Sequence, residues 1–205
     1  MDPAWLRRHF ASVPPPAAVI YGDYGTRPVA ATPAAVLVPI VPREAGLAVL
    51  FTLRTAHLKS HSGQVAFPGG RAEPHDDGPE ATALRETREE IGLDPRHVEL
   101  LGRLPEYHTG TGFCVTPVVG LVAPPFELAP DANEVERIFE VPLAFLMDPA
   151  NHGRSSRELH GETRWFYTMD YGSYTIWGAT AAMVLNLSRY LAAAPGAAAP
   201  GDRAG

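Results

Sequence analysis

The chain has 205 residues, of which 45% are apolar and 20% charged, as is typical of a globular protein that buries a core of its own. A formal net charge of −6 argues against a general nucleic-acid or anionic-membrane partner. Cys114 is the single cysteine, so no intrachain disulfide can form. With no apolar leader or membrane-length segment in the sequence, we expect a cytoplasmic protein with no membrane partner.

The hydrophobic pattern predicts strands that surround one central helix and a second helix near the C-terminus. In chain order the first predicted elements are a short helix over 4–10, strands over 34–40, 47–54 and 64–67, a helix over roughly 78–91, and strands over 98–104 and 114–122. They are followed by a loop-like segment that contains Glu134 and Glu136, a short helix over 142–147, a polar hairpin loop over 149–163, a strand over 163–168, and a segment over 174–177 that leads into a helix over 179–193. This order predicts a mixed α/β sandwich.

Composition divides the chain into three parts. Residues 1–30 are proline-rich and weakly patterned, which predicts an N-terminal arm. Residues 31–193 contain the predicted strands and the two main helices and are expected to form one domain. Residues 194–205 are rich in Ala, Pro and Gly, which predicts a disordered tail.

The central helix is unusually acidic. Residues 70–90 hold seven acids and three arginines. Acids crowded in this way repel one another and oppose folding unless a cation lies among them. Hard divalent cations with oxygen ligands suit that role.

Helical geometry brings three of these acids together. Glu86 and Glu90 lie roughly 40° apart around the helix axis, with Glu89 about 60° to the other side of Glu86. The alternative interpretation is a solvated acidic face on which Arg85 and Arg88 form surface ion pairs. The glycine turn just before the helix, together with the full spacing of the acids, favours a metal site instead.

The ends and the apolar face of this helix are also marked. Asp77 and Glu80 resemble a capping box at its start, and Gly92 suits a C-terminal stop. Leu84 and Ile91 are seven residues apart and fall nearly opposite Glu86, which predicts a buried face there.

The acidic helix and the turn before it resemble a known motif. Gly70, Asp76 and the run Arg85-Glu86-Thr87-Arg88-Glu89-Glu90-Ile91-Gly92-Leu93 are similar to the Nudix box, commonly written G-x5-E-x7-R-E-U-x-E-E-x-G-U with U apolar. Thr87 stands at a U position. Asp76 replaces the first Glu, and eight residues instead of seven separate it from Arg85.

The residues just upstream narrow the resemblance to a subgroup. Residues 58–70, Leu-Lys-Ser-His-Ser-Gly-Gln-Val-Ala-Phe-Pro-Gly-Gly, look like the signature that precedes the box in the coenzyme A pyrophosphatase branch of Nudix hydrolases. That branch carries the same one-residue expansion with Asp. The resemblance extends over roughly residues 33–190.

The resemblance implies a fold, a reaction and a metal site. The fold is the Nudix-type α/β/α sandwich with a mixed central sheet. The reaction is hydrolysis of a nucleoside diphosphate linked to another moiety, with Mg²⁺ or Mn²⁺ as cofactor. Glu86 and Glu90 would be the principal metal ligands, with Glu89 and the backbone carbonyl of Gly70 as further ligands. Arg85 would hold the glutamates in place by ion pairing.

Residues outside the helix would complete the site. A general base must take the proton of the attacking water. A box glutamate is one candidate, and Glu134 or Glu136 is another, because Nudix enzymes often supply the base from a distal loop; we favour Glu134. The cations Arg54, Lys59 and His61 precede the catalytic turn and suit phosphate groups of the substrate, including the 3′-phosphate of coenzyme A. Surface positions for Arg54 and Lys59 are the alternative.

The leading functional hypothesis is hydrolysis of coenzyme A or its thioesters to 3′,5′-ADP and (acyl-)4′-phosphopantetheine. A Nudix hydrolase of a nucleotide sugar, a dinucleotide or a nucleoside triphosphate is the second hypothesis. A non-catalytic nucleotide-binding module is the third, and the presence of Glu86, Glu89 and Glu90 argues against it. The expected partner is a small nucleotide, and a homodimer is suggested only by analogy with the fold.

Overall fold

The computed structural model describes residues 1–14, 31–56, 63–159 and 161–193. Its helices are α1 (Pro3–Ser12), α2 (Pro79–Ile91), α3 (Leu143–Met147) and α4 (Gly178–Ala192). Its strands are β1 (Thr32–Arg43), β2 (Gly46–Arg54), β3 (Val65–Ala66), β4 (Gly69–Arg71), β5 (Val98–Arg103), β6 (Tyr107–His108), β7 (Phe113–Val122), β8 (Val135–Pro142), β9 (Gly153–Leu159), β10 (Glu162–Tyr171) and β11 (Tyr174–Trp177).

The first eight strands form one mixed sheet. Its main path runs β3-β2-β1-β7-β5, while β4 pairs with β1, β6 with β7 and β8 with β2. The pairing of β1 with β7 is parallel and the other pairings are antiparallel. The last three strands form a second, antiparallel sheet in the order β11-β10-β9.

Helices cover both faces of the large sheet. On β1, Ala35 and Leu37 belong to the apolar cluster that also contains Ala83 and Ile91 of α2. Alternate residues such as Val38 and Ile40 belong to the larger cluster on the other face, which contains residues of α1, α3 and α4. Strand side chains alternate between faces, so β1 is buried on both sides. The predicted α/β/α sandwich with a mixed central sheet is confirmed.

The N-terminal helix packs against the body of the protein. Leu6 is fully buried in the larger cluster. The His9 ring nitrogen Nε2 lies 2.8 Å from the backbone oxygen of Tyr190, and the Tyr190 hydroxyl donates to the backbone oxygen of Val13 at 2.7 Å. The predicted helix over 4–10 is therefore present and is joined to α4.

Three local predictions were wrong. The segment 149–163, predicted as a hairpin loop, contributes β9 and the start of β10. The capping box is absent: Gly78, with φ 87°, precedes α2, and none of the described side chains caps its first turn. The buried face of α2 runs through Ala83, Thr87 and Glu90 as well as Ile91, whereas Leu84 is only half-buried. No helix in the described parts of the chain is long and apolar enough to span a membrane.

Candidate active site

A double-glycine turn anchors the site to the middle of the large sheet. Gly69 and Gly70 lie in β4 and pair with Val36 and Ala35 of β1. Gly69 has φ +151°, and a Cβ there would collide with the backbone of Ala35 and Val36. A Cβ on Gly70 would lie 2.5–2.9 Å from the carboxyl atoms of Glu86. The backbone therefore requires glycine at Gly69, whereas a side chain at Gly70 would displace the Glu86 carboxylate from its place against the turn.

Glu90 is a buried carboxylate at the centre of the site. Its side chain is 5% exposed, and Oε2 accepts a 3.1 Å hydrogen bond from the backbone N–H of Gly69. Its Oε1 lies 3.5 Å from Nη1 of Arg54. Burial raises the pKa of Glu90 to about 7, against the opposing effects of the Gly69 hydrogen bond and the Arg54 charge. Arg54 is the one cationic contact of Glu90 among the described residues, and it is weak, so this buried acid with a raised pKa can accept a second cation.

Arg85 holds the acidic residues in position, using all of its donor groups. Nε and Nη2 donate to the two carboxylate oxygens of Asp76, each at 2.9 Å. Nη1 donates to Glu86 at 2.9 Å and to Glu89 at 3.0 Å, and Nη2 also donates to the backbone oxygen of Arg71 at 3.0 Å. One planar guanidinium thus ties α2 to the strand and loop before it. The expectation that Arg85 pairs with the glutamates agrees with these contacts.

Asp76 anchors this arginine. Its side chain is 4% exposed and accepts further hydrogen bonds from the Thr82 hydroxyl and the Glu73 backbone N–H, both at 2.9 Å. The paired Arg85 guanidinium keeps the pKa of the Asp76 carboxyl well below its ordinary value. The residue at the expanded position of the box is therefore a fixed, ionised partner of Arg85.

The other predicted acids lie around Glu90 in different environments. Glu86 is half-buried, and burial raises its pKa, while Arg85 opposes the rise and the charges of Glu89 and Glu134 add to it. Glu89 is 60% exposed beside Arg85. Glu134 is half-buried, and its negative charge also raises the pKa of Glu90. The structure thus brings the distal Glu134 to the box carboxylates, at the loop just before β8.

This arrangement suits a hard divalent cation. The donors are carboxylate oxygens on one helix face, with a glycine backbone close enough to exclude any side chain between. The charge of Glu134 raises the pKa values of Glu86 and Glu90, and the charge of Glu86 also raises the pKa of Glu90; a cation among these groups would relieve that repulsion. Glu86, Glu89, Glu90 and the Gly70 carbonyl can hold such an ion.

A cavity of about 620 Å³ opens beside the turn. It is lined by Gly69, Gly70 and Arg54, which lie against the box glutamates. Residues of the β9–β10 hairpin and the start of α4 also line it. The cavity is large enough for a nucleotide-sized ligand.

Of the predicted substrate-binding residues, Arg54 is the one that lies in the described part of the chain. Arg54 lies between Glu90 and the cavity, as a phosphate-binding cation would. Lys59 and His61 lie outside the described residues. Sequence reasoning missed Arg157 and Arg164, which line the cavity from β9 and β10. There was little signal for them in the sequence, because Arg157 lies in the segment predicted as a loop and only Arg164 has an aromatic neighbour, Trp165.

Comparison with known proteins agrees with the motif. The NUDIX domain family model matches residues 31–171. Proteins called "Uncharacterized Nudix hydrolase NudL" from Escherichia coli (strain K12) and Photorhabdus laumondii subsp. laumondii are 39% and 40% identical over 163 and 156 residues, which cover 79% and 76% of this chain and 84% and 83% of theirs. A crystal structure of the Nudix hydrolase RenU from M. smegmatis aligns with a TM-score of 0.48 and 25% identity over 61% of this chain and 79% of that one. The chain therefore belongs to the Nudix hydrolase family, whose members are enzymes that act on pyrophosphate bonds.

Proposed function

We propose that this protein hydrolyses the pyrophosphate bond of coenzyme A or its derivatives, giving 3′,5′-ADP and (acyl-)4′-phosphopantetheine. The observation that carries the proposal is the cation-lined cavity of about 620 Å³ that meets the glutamate cluster at Gly69 and Gly70. A ligand bound in this cavity would have its diphosphate at the glutamates and a bulky group attached to each end of the diphosphate. The resemblance of residues 58–70 to the coenzyme A branch supports the same substrate.

Nudix hydrolases generally use divalent metals, and this site fits them. We propose Mg²⁺ or Mn²⁺, held by Glu86 and Glu90 with Glu89 and the Gly70 carbonyl as further oxygen ligands. Bound there, the ions would neutralise the diphosphate and lower the pKa of a water molecule. Arg85 would keep Glu86 and Glu89 in orientation from its anchor on Asp76.

Glu134 is the proposed general base. Its half-buried carboxylate lies close enough to the box for its charge to raise the pKa values of Glu86 and Glu90. Backbone hydrogen bonds hold this loop beside the end of β2, because the Thr55 N–H donates to the Glu134 backbone oxygen at 3.0 Å and the Glu134 N–H donates to the Asp131 backbone oxygen at 3.0 Å. A carboxylate on so fixed a loop can accept the proton of the attacking water.

Arg54 is the proposed phosphate ligand at the mouth of the cavity. It lies 3.5 Å from Glu90 and lines the cavity, so it can pair with a phosphate oxygen as the diphosphate approaches. Lys59 and His61 remain further candidates from the sequence. A cytoplasmic location and a homodimer remain expectations of the same kind.

A substrate panel tests this proposal. Coenzyme A, acetyl-coenzyme A, ADP-ribose, a nucleotide sugar, a dinucleotide and a nucleoside triphosphate are each incubated with the protein and Mg²⁺ or Mn²⁺. We expect 3′,5′-ADP from coenzyme A, and no product with Glu86→Gln or with EDTA. Rapid cleavage of another compound with coenzyme A left intact would refute the substrate. Such a result would favour the second hypothesis, a Nudix hydrolase of a different nucleotide.

A further inference from the structure

The hairpin of β6 and β7 gathers three metal-binding side chains next to its turn. Glu106, His108 and Cys114 each offer one ligand atom, and these atoms all lie within 4.8 Å of one another. His108 and Cys114 are Cα partners across the antiparallel pair, so their side chains project to the same face of the sheet. Glu106 lies two residues before His108, and extended backbone places side chains at this spacing on the same side. The register of the hairpin therefore produces the cluster.

The backbone that carries the cluster is well held. Tyr107 and Val115, the neighbouring Cα partners, are buried in the larger apolar cluster on the opposite face of the sheet. At the turn, the Thr109 N–H donates to the Phe113 backbone oxygen at 2.9 Å, and Thr109 Oγ1 accepts from the Phe113 N–H at 3.0 Å. A frame fixed in this way lowers the entropic cost of bringing three ligands to one ion.

His108 is the buried member of the cluster, with 7% of its surface exposed. In the described parts of the chain its Nδ1 atom is buried without a hydrogen-bond partner, and its Nε2 atom has a weak 4.0 Å contact with Sγ of Cys114. Burying a polar nitrogen without a strong partner costs free energy. A bond from the imidazole to a cation would offset that cost, and neutral imidazole is a common metal ligand.

The ligand set indicates which metal would bind. Thiolate and imidazole are typical ligands of Zn²⁺, whereas Mg²⁺ prefers oxygen. A tetrahedral zinc ion with ordinary bond lengths holds sulfur and nitrogen about 3.5 Å apart. The observed contact of 4.0 Å between Cys114 Sγ and His108 Nε2 is close to that distance, and a small rotation of the side chains closes the gap. Two anionic ligands, the carboxylate and the thiolate, would neutralise the ion, and water can take the fourth position.

The cluster can be reached from solvent. Glu106 is exposed, Cys114 is half-buried and His108 is buried, so the ligands lead from the surface inward. The charge of Glu106 acts on Arg103, but the Arg103 guanidinium donates to both carboxylate oxygens of Glu80, each at 2.5 Å. Because Arg103 is engaged by a different carboxylate, Glu106 can bind a metal ion instead.

We propose that Glu106, His108 and Cys114 bind one Zn²⁺ ion, and that the bound ion restrains the β6–β7 hairpin. The cluster shares no residue with the glutamate site on α2, so this metal site is separate from the proposed catalytic one. Cys114 binds as the thiolate, and its proton passes to solvent. The tip of the same hairpin, Thr109 to Thr111, lines the cavity beside the glutamate site. The ion would therefore fix one wall of that cavity.

Cobalt substitution tests the ligand set without any hydrolysis assay. Co²⁺ is titrated into the wild type in excess Mg²⁺, which keeps the glutamates on α2 occupied. We expect a thiolate-to-cobalt charge-transfer band together with the visible bands of a tetrahedral cobalt ion, because Cys114 is the single thiol of the chain. One equivalent of Zn²⁺ should remove both sets of bands. A wild type that shows no charge-transfer band would overturn the inference.

Variants that keep the thiol decide whether the three residues act together. Glu106→Gln should lower the affinity for Zn²⁺, measured by competition with Co²⁺, at least about tenfold, because it removes a ligand and a negative charge. Glu106 is exposed, so this change leaves the core intact. His108→Gln should lower the affinity at least as much, with the fold checked by circular dichroism. Glu44→Gln, the same change at an exposed acid in the β1–β2 turn, is the matched control and should retain the affinity. Equal affinity in Glu106→Gln and the wild type would overturn the three-residue site.

Hydrogen exchange followed by mass spectrometry tests the restraint of the hairpin. We expect Zn²⁺ to slow amide exchange severalfold over residues 106–114 of the wild type and to leave exchange in Glu106→Gln unchanged. Exchange over this segment that zinc does not slow in the zinc-bound wild type would overturn the proposed restraint.

Discussion

The buried Glu90 is a proposed metal ligand, but its charge destabilises the folded protein when no metal is bound. Replacing Glu90 should therefore stabilise the metal-free protein. Burial raises its pKa from the ordinary 4.5 to about 7. The ionised carboxylate is therefore disfavoured in the folded state by about 3 kcal/mol. Below pH 4.5 the group is protonated in both states and costs nothing. Stability is lost as the pH rises from 4.5 to 7, and the whole cost is present above pH 7. Glu90→Gln removes it, and the Gln oxygen can still accept from Gly69.

Urea unfolding in EDTA at pH 5 and pH 8.5 measures this effect. We expect Glu90→Gln to exceed the wild type by up to about 3 kcal/mol at pH 8.5 and by much less at pH 5. Added Mg²⁺ should stabilise the wild type and leave the variant unchanged. Glu89→Gln is the control, because Glu89 is 60% exposed and its pair with Arg85 should contribute under ~1 kcal/mol. A Glu90→Gln protein that is less stable at pH 8.5, or whose advantage does not depend on pH, would refute the reasoning.

Three further predictions concern the same site. Gly70→Ala should lower kcat about 100-fold with an unchanged circular dichroism spectrum, because its Cβ would displace the Glu86 carboxylate; near-normal kcat would contradict the close approach. Glu134→Gln should lower kcat by about 10²–10⁴-fold with little change in KM, measured on the best substrate of the panel, and a smaller loss would assign the base elsewhere. The apparent affinity for Mg²⁺, measured by calorimetry, should rise as the pH increases toward 7 and then level off, because protons compete at Glu90; a pH-independent affinity would exclude that competition.

The sheet and the acidic helix could be predicted from sequence because their patterns are local. The apolar runs of β1 and β7 are buried on both faces, and α2 begins and ends within a residue or so of its predicted limits. The start of α2 was harder to read. Asp77 carries the composition of a cap, but Gly78 with φ 87° takes the position before Pro79, and Asp76 is engaged by Arg85. The capping preference of Asp77 is therefore not realised, and the neighbouring Asp76 pairs with Arg85 on the helix instead.

The second sheet could not be predicted for a related reason. Residues 153–159 have no apolar alternation, because in the described part of β9 the side chains from Arg154 to Glu158 are exposed. Such a strand is held by its pairing with β10, which sequence periodicity does not report. The burial of Glu90 likewise could not be predicted from the sequence. Helical spacing placed it beside Glu86, but only the packing of α2 on β1 and β4 buries one carboxylate and leaves Glu89 in solvent.

The most direct measurement is hydrolysis of coenzyme A in ¹⁸O-labelled water with Mg²⁺, followed by mass spectrometry of the products. The account predicts 3′,5′-ADP and 4′-phosphopantetheine in equal amounts, with one ¹⁸O atom incorporated per bond cleaved, in the product whose phosphorus the water attacks. It also predicts that Glu90→Gln and EDTA each abolish both products. Unchanged coenzyme A under conditions in which another pyrophosphate compound is cleaved, or cleavage that Glu90→Gln leaves intact, would contradict the account.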